Sequence, residues 1–128
     1  MDVRLYVMTH KKIAEIADPM YIPMQVGKAG KEDFGYLGDD TGDNISEKNS
    51  AYCELTGMYW LWKNIDCDVI GICHYRRYFT RDEKLLEKSY IEKLIKEYSI
   101  IIPNSACVKD EDGRCIHGTK CVKYCWLV

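Results

Sequence analysis

The stretch Asp68-Val69-Ile70-Gly71-Ile72-Cys73-His74-Tyr75-Arg76-Arg77-Tyr78-Phe79 carries the densest chemistry in the chain. Its first half is short, apolar and β-branched, which reads as a buried strand. Its second half places an imidazole, two guanidiniums and three aromatic rings where that strand ends. Open α/β sheets bind ligands in the crevice outside the carboxyl ends of their strands. Arginine matches phosphate geometry with paired hydrogen bonds, and aromatic rings offer stacking surfaces to bases or sugars. His74, Tyr75, Arg76 and Arg77 therefore point to a site for a phosphate-bearing ligand. The competing reading is an arginine pair on a solvated loop after an ordinary core strand.

Other groups could join that chemistry. Thr9-His10-Lys11-Lys12 follows a strand-like segment and supplies more phosphate donors, or a plain solvated turn. Gly38 to Asn44 concentrates Asp39, Asp40 and Asp43. Hard cations such as Mg²⁺ or Mn²⁺ take oxygen ligands of this kind. Such a loop equally serves as a solvated turn before a helix start, where Asp lies favourably on the helix dipole. Glu54 sits among aromatics beside an apolar stripe and is a candidate general base, or a hydrogen-bond partner of a neighbouring element. Cys115-x-His117-x3-Cys121-x3-Cys125 offers thiolate and imidazole ligands for zinc but fits no standard spacing. There is no P-loop, no Gly-x-Gly-x-x-Gly, no Gly-x-Ser-x-Gly and no His-Glu-x-x-His.

The elements that must position these groups follow from hydrophobic period. Val3 to Met8 alternates and reads as the first strand. Ile13 to Ala17 reads as one or two helical turns. Tyr21 to Val26 is a second strand, near an edge because of Pro23. Gly27 to Asp43 is loop. Asn44-Ile45-Ser46-Glu47 resembles a capping box. Ala51, Leu55, Met58 and Trp62 then recur at helical spacing, predicting one long helix from Ser46 to Asn64 with that stripe buried. Tyr59, Trp60 and Trp62 read mostly as core, while Trp60, off the main stripe, could also face a ligand or a missing half of the fold. After the strand Asp68 to Cys73, Thr80-x-x-Glu83 reads as a second capping box. Leu86, Ile91, Leu94, Ile95 and Tyr98 mark a further helix, and Ser99 to Pro103 a short buried strand. The order β-β-α-β-α-β predicts an α/β fold with a mostly parallel sheet flanked by helices.

The chain has 128 residues, a net charge of −2, 47% hydrophobic and 30% charged residues. That is one small domain with no general pull toward nucleic acid or anionic lipid. No apolar run reaches the roughly 18 residues that span a bilayer, and Met1 to Val7 lacks a signal-peptide layout. The expected location is the cytoplasm, with partners as the route to the inner face of the plasma membrane. Seven cysteines, an odd number, do not read as a disulfide framework there. Cys53, Cys67 and Cys73 read as small buried hydrophobes. The other four fall after Pro103, where all periodicity ends.

Three stretches together resemble a known family: Gly42 to Asn49, Tyr52 to Asn64, and Gly71 to Phe79. They look like the domain of unknown function 4422, found in capsular and exopolysaccharide gene sets and commonly called a glycosyltransferase. Tyr6 to Lys11 and Tyr98 to Pro103 resemble it too. The resemblance covers residues 3–103 and implies the N-terminal part of an A-type glycosyltransferase-like, Rossmann-like fold. Family members are markedly longer, and residues 104–128 form an irregular Cys-rich tail unlike their continuation. The expectation is a truncated or frameshifted chain.

The resemblance also implies partners and roles. The donor would be a nucleotide sugar, and the acceptor a glycan or lipid-linked glycan, with no nucleic acid involved. Thr9, His10, His74, Tyr75, Arg76 and Arg77 would hold the donor diphosphate. Asp40, Asp43, Asn44 and Asn49 would position sugar or cap a helix, and Glu54 is the base candidate. A-type enzymes commonly bind metal and diphosphate through an acidic motif at the corresponding strand end. Here that place is cationic, so His74, Arg76 and Arg77 would neutralise the leaving diphosphate without a metal. Mg²⁺ or Mn²⁺ would otherwise enter through Asp39, Asp40 and Asp43. The alternatives are a non-catalytic module that binds a nucleotide or glycan, and an inactive gene fragment.

Overall fold

The computed structural model describes residues 1–102 and the backbone of Trp126–Leu127. Five strands form one sheet in the order β3-β2-β1-β4-β7. They are β1 (Val3–Thr9), β2 (Tyr21–Gln25), β3 (Leu37–Gly38), β4 (Val69–His74) and β7 (Trp126–Leu127). The first four run parallel, and β7 is antiparallel to β4. The expected α/β architecture with a mostly parallel sheet is therefore present.

Strand β1 lies at the centre and is covered on both faces. Side chains alternate across a strand, and β1 uses the alternation twice. Val3, Leu5 and Val7 enter a core with Tyr21, Val69, Cys73, Phe79, Leu86 and Ile91. Tyr6 and Met8 enter a second core with Met24, Val26, Trp60 and Leu61. An apolar residue at nearly every position is what a strand buried on both faces requires.

Pro23 sits where its missing N–H costs least. Leu5 donates to the Met20 carbonyl and Val26 to the Thr9 carbonyl. The even-numbered residues of β2 thus bond to β1, and Pro23 faces the other way. On that side β3 pairs only with Met24 and Gln25, so no ladder bond is lost.

Several local expectations fail, each for a physical reason. Ile13 to Ala17 is not helical. The Tyr36 hydroxyl bonds both the amide (3.1 Å) and the carbonyl (3.3 Å) of Ile13, while Ile13 and Ile16 pack on the first core. The long helix from Ser46 to Asn64 is broken into a 3₁₀ turn (Ser46–Lys48), α1 (Asn49–Tyr52) and α2 (Leu55–Asn64). Asn44 accepts the Ser46 amide at 3.2 Å, but no side-chain cap forms at the 3₁₀ start. The break is at Cys53, which has φ 50°. The α2 stripe is also reversed. Thr56, Gly57, Trp60 and Leu61 face the sheet, while Leu55 and Trp62 are 52% and 70% exposed. Trp60 is core, and its Nε1–H donates to the Thr41 carbonyl at 2.8 Å.

Thr80 to Leu85 forms a hairpin instead of a helix start, with β5 (Thr80–Arg81) paired to β6 (Lys84–Leu85). Asp82 and Glu83 both have positive φ, 50° and 63°, as a type I′ turn demands. Helix α3 (Lys88–Ile95) then buries Ile91. Of Ser99 to Pro103, only Ile101 makes a β-bridge among the described residues. Cys73 is buried, Cys67 half-buried and Cys53 exposed, which corrects the reading of all three as core. The Cys115–Cys125 spacing lies outside the described residues. Among them, no helix is long and apolar enough to cross a membrane.

Small residues set how closely α2 approaches the sheet. A Cβ on Gly57 would stand 2.7 Å from both Met8 Sδ and Val26 Cγ1. Alanine favours a helix over glycine by about 1 kcal/mol, but overpacking a core costs about 1–3 kcal/mol. Gly57→Ala should therefore lower stability by roughly 1 kcal/mol net, read as a lower urea midpoint with unchanged slope.

Candidate functional site

The chain leaves β1 for β2 and β3 on one side and later returns to β4 on the other. Strand order therefore reverses between β1 and β4, and such switch points open a crevice at the carboxyl ends of the strands. A cavity of about 520 Å³ lies there, within the range typical of small-molecule sites. Met8 comes from β1; Ile72, Cys73 and His74 from β4; Arg77 from the following turn. Tyr52, Glu54, Leu55 and Met58 form the helical wall.

Alternation explains why His74 meets that wall. Ile70 and Ile72 pack on the core under α2, so His74, two residues on, projects from the same face. Its Nδ1 accepts the Arg76 N–H at 3.1 Å. The hydrogen of the neutral ring is then on Nε2, which faces Glu54 Oε1 at 3.5 Å. Burial lowers the His74 pKa from its usual value. Glu54 opposes the shift, while Arg76, Arg77 and His10 add to it.

Two cations and two imidazoles surround Tyr75. Lys11 Nζ lies 4.9 Å and the Arg76 guanidinium 5.0 Å from its ring centre. His10 meets the ring edge-on at 5.4 Å, and His74 stacks at 4.2 Å. Among the described residues, no carboxylate pairs with Lys11 or Arg76. The turn itself is held by Tyr75 N–H to the Met8 carbonyl (3.1 Å) and Arg77 N–H to the His74 carbonyl (2.8 Å). This arrangement can bind an anion.

Behind the helical wall stands Asp39, fully buried. Its carboxylate accepts Gly27 N–H (2.8 Å), Lys28 N–H (3.1 Å), Ser46 O–H (2.6 Å) and Thr56 O–H (2.6 Å). The two hydroxyls relay further. Ser46 accepts Ala29 N–H at 3.0 Å, and Thr56 accepts the Asn49 amide at 3.0 Å.

Residues 4–121 match the family model described as "Domain of unknown function (DUF4422)". The chain belongs to this family. The apo structure of the WbbM bifunctional glycosyltransferase is similar to it, with a TM-score of 0.67 and 34% identity. The likeness covers 84% of this chain but 24% of that one, so the chain spans about a quarter of that protein. No curated protein matches the chain. The family match runs past Pro103, where the periodicity of the sequence ends.

In this DUF4422 chain, the predicted residues divide into two groups. His10, His74, Tyr75, Arg76, Arg77 and Glu54 come together at the strand ends. Glu54 is not mid-helix but immediately precedes α2, at the break. Thr9 is buried and shapes the turn instead of presenting its hydroxyl: Oγ1 donates to the Lys11 carbonyl (2.7 Å) and accepts its N–H (3.2 Å). Asp40, Asp43, Asn44 and Asn49 do not line the cavity, and of the strand-end group only Glu54, His74 and Arg77 do. Asp43 accepts the Tyr59 hydroxyl at 2.9 Å. Asn44 bonds within its own loop. Asn49 donates to the Cys53 carbonyl at 2.7 Å and clamps the break.

Asp39 is not a cation ligand, because four hydrogen bonds use the roughly four lone-pair sites of a carboxylate. Among the described residues, no three His, Cys, Asp or Glu side chains stand close enough to hold a metal ion. Asp39 as an internal acceptor, and Tyr52, Leu55 and Met58 as cavity wall, escaped the sequence reading. Only the hydroxyls of Ser46 and Thr56 hinted at a buried acceptor.

Asp39→Ala should cost on the order of 3 kcal/mol, since it orphans buried donors. Asp39→Asn, which keeps part of the acceptor capacity, should cost about half as much. Denaturant melts monitored by tryptophan fluorescence give both values. For His74, the folded state disfavours protonation, so the unfolded chain binds more protons below about pH 6.5. Stability should therefore fall as pH drops through and below that value. His74→Asn, which keeps an acceptor for the Arg76 amide, should flatten the profile.

Proposed function

We propose that the chain binds the diphosphate of a nucleotide sugar at the β1–β4 crevice and serves glycosyl transfer. The observation that carries this reading is the cation cluster at the switch point of a parallel sheet. The likeness to a glycosyltransferase structure supports it. Arg76 and Arg77 face the diphosphate, with Lys11 adding positive field and His10 an imidazole from the β1 side. These charges grow in effect as the leaving diphosphate gains negative charge, which is how a preorganised site favours the transition state. Met8, Leu55, Met58 and Ile72 give an apolar wall beside the reacting centre. Glu54, half-exposed at the cavity mouth, stands where it can take the proton of an incoming acceptor hydroxyl.

The reaction class is hexosyl transfer in the building of a bacterial capsule, exopolysaccharide or lipopolysaccharide. The acceptor is a glycan or lipid-linked glycan met at the inner face of the plasma membrane, with the chain itself cytoplasmic.

A thermal-shift titration of the chain with UDP-, GDP- and CMP-sugars tests donor binding. One nucleotide class should raise the melting temperature, and nucleotide release with acceptor present reports transfer. Arg76→Ala should weaken donor binding about tenfold or more, the worth of a charge-assisted hydrogen bond to phosphate. The weakening should shrink at high salt. Binding and transfer should survive EDTA; strict dependence on Mn²⁺ would overturn the assignment of the diphosphate to the arginines. Donor binding without transfer would favour the non-catalytic module.

A further inference from the structure

We infer that His74 couples the two walls of the cleft. One imidazole ties the arginine turn through Nδ1 and faces the Glu54 carboxylate through Nε2, so an anion on the turn and Glu54 act on one proton. The inference rests on the donor-site reading only for the natural identity of the anion.

Each ring nitrogen faces one wall. Nδ1 accepts the Arg76 amide at 3.1 Å, and Nε2 lies 3.5 Å from Glu54 Oε1. His74 thus stands between the two walls and acts as a positioning residue. It aligns Glu54 on one wall and the turn bearing Arg76 and Arg77 on the other. Taking up a proton from water changes both contacts. Nδ1 becomes a donor and can no longer accept the Arg76 N–H, which loses its acceptor. Nε2–H then belongs to a cation and strengthens its pairing with Glu54.

The charges facing the ring set when this happens. Arg76, Arg77 and His10 oppose protonation, as does burial; Glu54 favours it. The remaining neighbour, Tyr75, stacks on the ring and carries Lys11 on its own face. An anion seated on the arginines offsets the cations while Glu54 remains. Anion binding and proton uptake at His74 are thus linked, and by reciprocity a lower pH tightens anion binding.

The test is the imidazole titration of the ¹⁵N-labelled 128-residue chain, followed by NMR and assigned by loss of the signal in His74→Asn. Sodium sulfate, which does not titrate in this range, is compared with sodium chloride at equal ionic strength. The expected result is an Nε2–H tautomer at neutral pH and a midpoint below 6.5. Sulfate should raise that midpoint by about one unit, the effect of a close opposite charge. Glu54→Gln should lower it and Arg77→Gln should raise it in chloride; these two variants decide the matter on the native imidazole if His74→Asn does not fold. An Nδ1–H tautomer, or a midpoint that ignores sulfate and Glu54→Gln, would overturn the coupling. A sulfate response without any nucleotide-sugar binding would leave the coupling standing and remove the donor reading. Nucleotide-sugar binding with an unresponsive His74 would do the reverse.

Discussion

The buried carboxylate of Asp39 is the constraint on which the site depends. A carboxylate at zero exposure is tolerable only when its acceptor sites are filled. Asp39 fills them from segments that are distant in sequence. The Gly27 and Lys28 amides close the end of β2, and the Ser46 and Thr56 hydroxyls belong to the 3₁₀ turn and to the start of α2. Each hydroxyl gives its proton to Asp39 and accepts one from elsewhere, so two relays converge on one charge. Chains of this type polarise and strengthen one another in a low dielectric. Gly27 is part of the same fit. It has φ 63°, and a Cβ there would stand 2.4 Å from the Asn49 side chain.

From Asp39 the constraint passes to the groups at the cavity. Thr56 holds Asn49, and Asn49 holds the Cys53 carbonyl. Together they stabilise Cys53 at φ 50° and ψ −129°, a sparsely populated conformation that costs a residue other than glycine about 1–3 kcal/mol. The break redirects the chain so that Glu54 precedes α2 and faces the cavity. Had the helix run unbroken, Glu54 would have followed the phase of α1. The sheet supplies the other wall by a simpler rule. Alternation along β4 fixes the face of His74, and parallel pairing of Met8 with His74 fixes its level.

The fold was legible where one period dominated. The strands around Leu5, Ile22 and Ile72 stood out because β-branched and apolar residues cluster there, and the location of the cationic turn followed from the strand end. The helix phase was not legible, because α2 is apolar all round: Leu55, Met58 and Trp62 make as good a stripe as Trp60 and Leu61. What chose between them was a close approach allowed by Gly57, a tertiary fact with no periodic trace. The hairpin at Asp82 and Glu83 lacked the Asn-Gly or Asp-Gly dipeptide that usually announces a type I′ turn. The second wall of the site was hidden for the same reason as the helix phase. Asp39, Asp40 and Asp43 looked alike as a sequence, yet one is a buried acceptor and another a surface partner of Tyr59.

Like charges gathered on neighbouring loops repel one another, and an anion between them would offset that repulsion. Lys11, Arg76 and Arg77 are like charges on neighbouring loops, with His10 among them. Placing two of these cations about 5 Å from one tyrosine ring offsets part of their repulsion, since an exposed cation–π contact is worth about 0.5–1 kcal/mol. It does so without spending their charge, as a carboxylate partner would. The Arg76 guanidinium and the Lys11 ammonium are thus held beside the ring, and among the described residues neither pairs with a carboxylate. Glu54 does not cancel them, because it faces His74 across the cavity, and His74 is held neutral by burial and by the cations themselves. A doubly charged anion gains from every one of these features at once.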